Sequence, residues 1–444
     1  MIQPGRQERR SGLVEATSVS DRRTPFQRDR DRILYADYFR RLSGVTQVAS
    51  ASEGGVFHNR LTHSIKVAQV ARRLAELLLA QHAEQHPQLV ECLNPEVVEA
   101  AALAHDLGHP PFGHVADERL CELAEHHGLE DGFEGNAQTF RIVTRLSVRR
   151  GPPDQGLDLT RATLAAIAKY PWPRSRGAGA IEKKRKKFSF FDDDQEAGAF
   201  ALAGLPAETK TLECQVMDLA DAITYSVHDL EDFYRAGLVP VERLVRSEEY
   251  RRAFLLRWQQ QRPDDRNQQA AQNAQHWPAI AGLLKYLLSD EAEPGTRSET
   301  ELLDGFRSVA ISKFVGAVEL HVGGDGRFEL RLADPFDLQS KFLQRLIWDY
   351  VILSPRLATQ QAGQIRVVDG LFSYFLESIR AKRLDRVPTR FREDTARLLA
   401  SNPGDPQTAR LAIDIVATLT EPEAISLFKR ISGYDGGSVL DLIN

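Results

Sequence analysis

Hydrophobic positions along this chain recur mostly at helical spacing. Between 61 and 80, Ile65, Ala68, Ala71, Leu74, Leu77 and Leu78 line one face of a strong amphipathic helix. From about Arg28 to Leu42 the same spacing puts Ile33, Leu34, Tyr38 and Leu42 on one side and arginines on the other. Asn94-Pro95-Glu96 reads as an N-cap, a proline at the first helical position and an acid in the first turn. The helix it opens runs to about Asp106, where Gly108 and Pro110-Pro111 stop it. Further helices are expected over 134–147 and from Glu213 to Arg235, and helical spacing returns over 336–444. Residues 317–322 and 327–332 instead alternate with period two around Gly323-Gly324-Asp325-Gly326, which predicts a β-hairpin. The expected fold class is therefore all-α, with at most one short β-hairpin in the C-terminal half and no solenoid repeat.

Three stretches break the pattern. Residues 1–25 are rich in Arg, Ser and Thr and read as a flexible N-terminal segment. Residues 171–211 hold Pro171, Pro173, Gly177 and Gly179, then a basic and an acidic run, and read as a long loop or lid rather than core. A Gln/Asn/Arg-rich patch at 259–275 reads as a weakly structured connection. These breaks suggest a core over 26–240 and a helical C-terminal region, 241–444, that completes the pocket and makes oligomer contacts.

Composition narrows the class. With 444 residues, 42% hydrophobic and 27% charged, the chain has the make-up of a soluble globular protein large enough for more than one domain-sized unit. A net charge of −5 gives no global attraction to nucleic acid. Cys92, Cys121 and Cys214 lack thiolate-zinc or disulfide spacing and suit a reducing cytoplasm. No apolar leader and no run of about 20 apolar residues appears, so no membrane partner is expected.

The chemistry concentrates in the histidines. Nine of the 12 lie between 58 and 127. His82, His86, His126 and His127 read as surface or loop residues. The segment His105-Asp106-Leu107-Gly108-His109-Pro110-Pro111-Phe112-Gly113-His114 puts a His-Asp doublet at a helix end, where adjacent residues can reach one ion although neighbours within a helix cannot. His63 sits on the polar edge of the 61–80 helix. Asp221 shares a face of a later helix with Asp218, Tyr225, His228 and Asp229. Together His63, His105, Asp106 and Asp221 form a mixed N/O ligand set suited to one divalent cation.

Several ordered segments then carry a family resemblance. Arg28-Asp29-Arg30-Asp31-Arg32-Ile33, Phe39-Arg40-Arg41-Leu42 and Thr46-Gln47-Val48 resemble one N-terminal signature. His58-Asn59-Arg60-Leu61-Thr62-His63-Ser64, Phe133-Glu134-Gly135-Asn136-Ala137-Gln138-Thr139, Lys169-Tyr170-Pro171-Trp172 and Asp221-Ala222-Ile223-Thr224-Tyr225 follow in order. The chain resembles the HD-domain metal-dependent phosphohydrolases, and within them the deoxynucleoside triphosphate triphosphohydrolases of the dGTPase-like branch. The matches run from 28 to about 235, and the C-terminal half is similar only loosely.

The resemblance implies a helical fold and cleavage of a dNTP, dGTP among the substrates, to deoxynucleoside and inorganic triphosphate by water attack at the α-phosphorus. It implies one divalent ion, Mn²⁺ first, with Mg²⁺, Co²⁺, Ni²⁺ or Fe²⁺ as alternatives. It assigns His114 to general acid/base catalysis, supported by Asp117. Many relatives carry Glu at that position, so the neighbouring Glu118 competes for the role. Arg60, three residues before His63, would grip a phosphate through its planar fork. Tyr225 would pack where a 2′-hydroxyl would clash, Asp229 would accept from the 3′-hydroxyl, Gln47 would meet the base or sugar edge, and His109 the phosphates. Lys341 and Arg307 are weaker candidates for triphosphate or subunit contacts. The resemblance also implies a homo-oligomer, tetramer or hexamer, with a nucleotide effector at subunit contacts.

The run Lys183-Lys184-Arg185-Lys186-Lys187, with Phe188, Phe190, Phe191 and then Asp192-Asp193-Asp194, has three readings: a solvated loop, a triphosphate-gripping lid or a single-stranded DNA contact. Two other functions stay open for the chain as a whole. One is another HD phosphohydrolase, a nucleotidase or cyclic-nucleotide phosphodiesterase. The other is a catalytically silent regulator that binds nucleotide or single-stranded DNA.

Overall fold

The computed structural model describes residues 3–13, 21–47, 58–149, 155–176, 181–260, 277–288 and 295–434. Among these the chain is predominantly helical, and its one sheet is an antiparallel hairpin of Val318–Val322 with Phe328–Leu332. Val318 faces Leu332 and Val322 faces Phe328. No helix among the described residues is long and apolar enough to cross a membrane. The chain divides into two units, one of Met1–Ser52, Asn59–Asp218 and Ala358–Asn444, the other of Glu53–His58 and Leu219–Leu357.

The Pro95–Ala104 helix lies at the centre of the first unit. Asn94 caps it, accepting the Glu96 amide at 2.8 Å. Val97, Val98 and every residue from Ala100 to Ala104 are buried. The small alanines let three helices, Pro25–Leu34, Arg60–His82 and Arg161–Ile167, pack on this one. Because the helix is enclosed, its last turn delivers His105 and Asp106 to the interior. Gly108, in the turn that follows, lies at a point of very close approach: a Cβ there would sit 2.1 Å from the Thr139 nitrogen and 2.2 Å from the Gly135 oxygen. Gly108→Ala is expected to cost about 1–3 kcal/mol through overpacking. Denaturant unfolding would show it, and a midpoint equal to wild type would refute the close approach.

Several expectations change on contact with the fold. The 28–42 stretch forms two helices, Pro25–Leu34 and Asp37–Arg41, because Ala36 between them is extended. Residues 3–13 are not loose: buried Arg9 meets buried Asp29 at 2.7 Å, and Asp29 also accepts the Thr160 amide and hydroxyl. Residues 14–20 lie outside the described residues, as do 261–276, which include most of the 259–275 patch.

The 171–211 stretch departs most from its reading as loop or lid. It contains the Gln195–Leu202 helix, and Phe188, Phe190 and Phe191 are buried. Phe188 and Phe191 join a core with Phe372, Phe375 and Phe391, while Phe190 meets Phe140 edge-on at 4.8 Å. Burying a phenylalanine contributes about 1.5–3 kcal/mol, so three of them anchor the stretch firmly. Prolines and glycines show where helices stop, not whether the apolar residues between them reach the core.

In the second unit, Leu230–Arg235, Arg297–Gly316 and Phe336–Ile347 pack around a π-helical turn at Tyr225–Asp229. The expected 213–235 helix is thus Leu212–Thr224, the π turn, and Leu230–Arg235. Such turns insert a residue and re-aim the side chains that follow. Phe254 packs edge-on against Phe342 and stacks on Tyr350.

Candidate active site

The site begins at a helix start. The Asn59 side chain accepts the Thr62 amide at 2.9 Å, which sets Arg60 as the first residue of the Arg60–His82 helix. One turn later His63 is buried, and its ring centroid lies 5.7 Å from that of His105. One ring nitrogen of each lies within 4.8 Å of the other. His105 caps the Pro95–Ala104 helix, and its Nδ1 lies 2.6 Å from the Ala102 carbonyl. That bond assigns the proton to Nδ1 and leaves the Nε2 lone pair for a metal, the usual second-sphere device for a histidine ligand. Nε2 is 3.6 Å from Asp106 Oδ1. Two buried imidazoles and the buried Asp106 carboxylate thus lie together in the first unit, a group of donors of the kind that can hold a divalent ion.

Charge at this site is strongly tuned. Burial alone would raise the Asp106 carboxyl, but Arg60, His105 and His109 outweigh it and hold it well below the usual carboxylate range. Arg60 Nη1 donates to Asp106 Oδ2 at 2.8 Å, and His109 Nδ1 lies 3.1 Å from Oδ1. Burial first and Arg60 second push His109 down, so its ring is neutral near pH 7.

The loop after the doublet is fixed by partners that periodicity could not reveal. Buried Arg41 donates to the carbonyls of Leu107, His109 and Leu419 at 2.9, 2.7 and 2.8 Å. Thr139 donates to the His105 carbonyl and accepts the Gly108 amide. The loop ends in two positive-φ residues, Phe112 at +70° and Gly113 at +57°. His114 then opens the His114–His126 helix with its ring exposed, 6.3 Å from the His109 ring. Crowding by protein atoms, then His109, Arg60 and Lys187, lowers the His114 imidazole.

Asp117 is buried on the same helix, while Glu118 faces solvent. Burial and Glu134 push the Asp117 carboxyl up to about 7, against the pull of Lys187 and Arg60. Among the described residues no hydrogen bond joins His114 to Asp117 or Glu118. Glu134 caps the Gly135–Arg141 helix by accepting the Asn136 and Ala137 amides, and also receives Lys187 Nζ at 2.7 Å. The last lysine of the basic run therefore points inward. Lys184 pairs with Glu208 and lies 5.3 Å over the Trp172 ring, and Lys186 pairs with Glu182.

Gln47, Asp221, Tyr225 and Asp229 complete the set of candidates. Gln47 is half-buried, its Oε1 without a hydrogen-bond partner. Asp221 is half-buried in the last turn of Leu212–Thr224. Tyr225 opens the π turn and Asp229 closes it, buried. Burial, then Asp229 and Asp221, raise the Tyr225 phenol, so it remains a neutral donor. His58 lies in the second unit, with its Nδ1 and backbone amide 2.6 and 2.7 Å from Asp232 Oδ2. Arg307 pairs with Glu231, and Lys341 with Asp337. Arg41, Glu134, Thr139 and Lys187 shape the site, although the sequence offered them only as members of longer motifs and runs, with no individual role. For Glu134 and Thr139, the Phe133–Thr139 motif was the available signal.

Comparison with known proteins adds a second line of observation. An HD domain matches residues 60–226, and a phosphohydrolase-associated domain matches 330–430. The first match runs from Arg60 past Tyr225 and leaves Gln47 and Asp229 outside. A deoxyguanosinetriphosphate triphosphohydrolase-like protein of Streptomyces coelicolor is 35% identical over 431 residues, 93% of each chain. A protein of the same name from Shewanella sp. is 30% identical over 475 aligned positions, 98% of each chain. Another from Bifidobacterium longum is 42% identical over 222 residues, 49% of this chain and 43% of its own.

Proposed function

Because the chain belongs to the deoxyguanosinetriphosphate triphosphohydrolase-like family of HD-domain proteins, we propose that it hydrolyses a deoxynucleoside triphosphate, dGTP among them, to the deoxynucleoside and inorganic triphosphate. Family membership makes it a metal-dependent hydrolase of phosphoric esters. The observation that carries the finer reading is the buried group of His63, His105 and Asp106, with Arg60 paired to Asp106. That group offers metal ligands and a phosphate-binding guanidinium in one place.

His63, His105, Asp106 and Asp221 would hold the ion, Mn²⁺ first. When bound, a divalent ion supplies Lewis-acid polarisation of an α-phosphate oxygen and acidifies a bound water. Arg60 is held at the ligand group by Asp106 and offers the rest of its fork to a phosphate. His114, neutral near pH 7, can take a proton from the attacking water and return it to the leaving sugar oxygen. Asp117, with a carboxyl that titrates near neutrality, is the buried acid on His114's helix and the better-placed partner than exposed Glu118. Neutral His109 can donate to a phosphate oxygen. Tyr225 and Asp229, one π turn apart, would wall the sugar and accept from its 3′-hydroxyl, and Gln47 would meet the base or sugar edge. The excluded 2′-hydroxyl would then be the basis for preferring deoxynucleotides.

The test is an assay of all four dNTPs, singly and mixed, across divalent metals, with triphosphate and deoxynucleoside as readouts. Intact triphosphate is expected from at least one condition, and His63→Ala is expected to lose bound metal. Stepwise orthophosphate, or no product with any metal, would overturn the reading.

A further inference from the structure

We propose that Glu421, in the C-terminal part of the chain, is a positioning residue that sets both the loop leading to His114 and the segment leading to Gln47. The inference rests on the function proposed above. Glu421 opens the Glu421–Ile431 helix and is buried. One carboxylate takes three donors. Its Oε1 accepts the Thr46 amide at 3.0 Å and the Phe112 amide at 3.1 Å, and its Oε2 accepts the Thr46 hydroxyl at 2.6 Å.

This carboxylate is not needed by its own helix. Thr420 and Glu423 already form a complete capping box there, Thr420 accepting the Glu423 amide and Glu423 the Thr420 amide. Glu421 instead spends its charge on two distant segments, 375 and 309 residues away in sequence.

Of these segments, the loop leading to His114 needs such a partner. Phe112 has φ +70°, a conformation that side-chain sterics disfavour and that persists only where its surroundings impose it. Its amide is the group Glu421 holds, and His114 follows two residues later. Thr46 is the residue before Gln47, whose Oε1 is buried without a hydrogen-bond partner. The same corner is tied a second time, since Arg41 bridges the Leu419 carbonyl to those of Leu107 and His109. The loop from the metal-ligand doublet to His114 is thus fastened at both ends to residues 419–421. Those residues fall inside the phosphohydrolase-associated match rather than the HD match. One contribution of that C-terminal region to catalysis is then geometric: it holds the acid/base histidine in place without touching substrate.

The full-length enzyme tests this with Glu421→Gln, which keeps shape and removes charge. Misplacement of a catalytic group by about 1 Å can cost on the order of 100-fold in rate. We expect kcat to fall roughly 10- to 100-fold with metal content unchanged, and the backbone amides of 107–114 to exchange faster with deuterium. In a His114→Ala background the same change should lower kcat no further. The proposal is overturned if Glu421→Gln leaves exchange at 107–114 as in wild type, or if it lowers the His114→Ala rate by the same factor as the wild-type rate. If the wild-type enzyme hydrolyses no dNTP, the reading of the reaction fails, while the exchange measurement still decides whether Glu421 holds the loop.

Discussion

Replacing Asp106 with alanine is expected to remove the metal and destabilise the protein in one step. Asp106 is buried and receives Arg60 at 2.8 Å, and Arg60 is itself buried at 3% exposure. Without the carboxylate, the guanidinium becomes an uncompensated buried charge, a loss of about 3–5 kcal/mol. A domain's whole stability is about 5–15 kcal/mol, so the thermal midpoint should fall steeply. Asp106→Asn keeps the shape and a hydrogen-bond acceptor for Arg60, and should lose less stability. Both should lose the metal, and dNTP hydrolysis should fall by at least about 10³-fold, the equivalent of about 4 kcal/mol of transition-state stabilisation. Metal content per chain, thermal unfolding and triphosphate release check the three parts separately. An Asp106→Asn protein with full metal occupancy and full activity would remove Asp106 from the ligand set. Sign also matters for the metal-free protein. The Asp106 carboxyl is held below its unfolded value, so its contribution is present above the unfolded value and is lost as pH falls through the folded one.

How much of this was legible depended on the range of the interaction concerned. The cap at Asn94, the proline at 95 and the stop at Gly108 are local devices, and local devices are written in adjacent letters. They were enough to place His105 and Asp106 at a buried helix end. The hairpin was legible in the same way, from alternation on either side of a glycine-rich turn. What the sequence did not reveal were pairings at long separation. Lys187 reads as one of five basic residues in a row until Glu134, 53 positions away, claims it. Phe188, Phe190 and Phe191 look stranded between charge runs because their neighbours in the core, Phe133, Phe140 and residues beyond 367 among them, are distant in sequence. Asp117 and Glu118 are chemically equivalent as letters. On a helix they differ by about 100° in direction, and only the packing of the His114–His126 helix decides which one is buried. The π turn at Tyr225–Asp229 was likewise invisible, since one inserted residue barely disturbs a helical pattern yet re-aims every side chain after it.

The second large effect belongs to His114 and is separable from the metal. His114→Ala should lower kcat on the order of 10²–10⁴-fold, the usual range for a positioned acid/base group, with metal content unchanged. The ring stands at the first position of its helix, exposed, so removing it leaves no cavity and should hardly move the thermal midpoint. Its neighbours lower the imidazole, so it is already neutral at pH 7 and does not supply a titration near neutrality. Asp117 does, because its carboxyl is raised to about 7. A limb of the kcat profile near pH 7 should therefore survive in His114→Ala at a lower level and vanish in Asp117→Asn. Stability gives an independent reading in the metal-free protein. A carboxyl whose folded value lies above its unfolded value of about 3.9 binds its proton more tightly when folded. It contributes stability fully below the unfolded value, and that contribution is lost as pH rises through about 7. Asp117→Asn carries no such loss, so its thermal midpoint should exceed that of wild type above pH 7 and converge with it in acid. If instead the two midpoints ran parallel from pH 4 to 8, the pressure of burial and Glu134 on Asp117 would be absent, and the acid behind His114 would have to be sought elsewhere on the site.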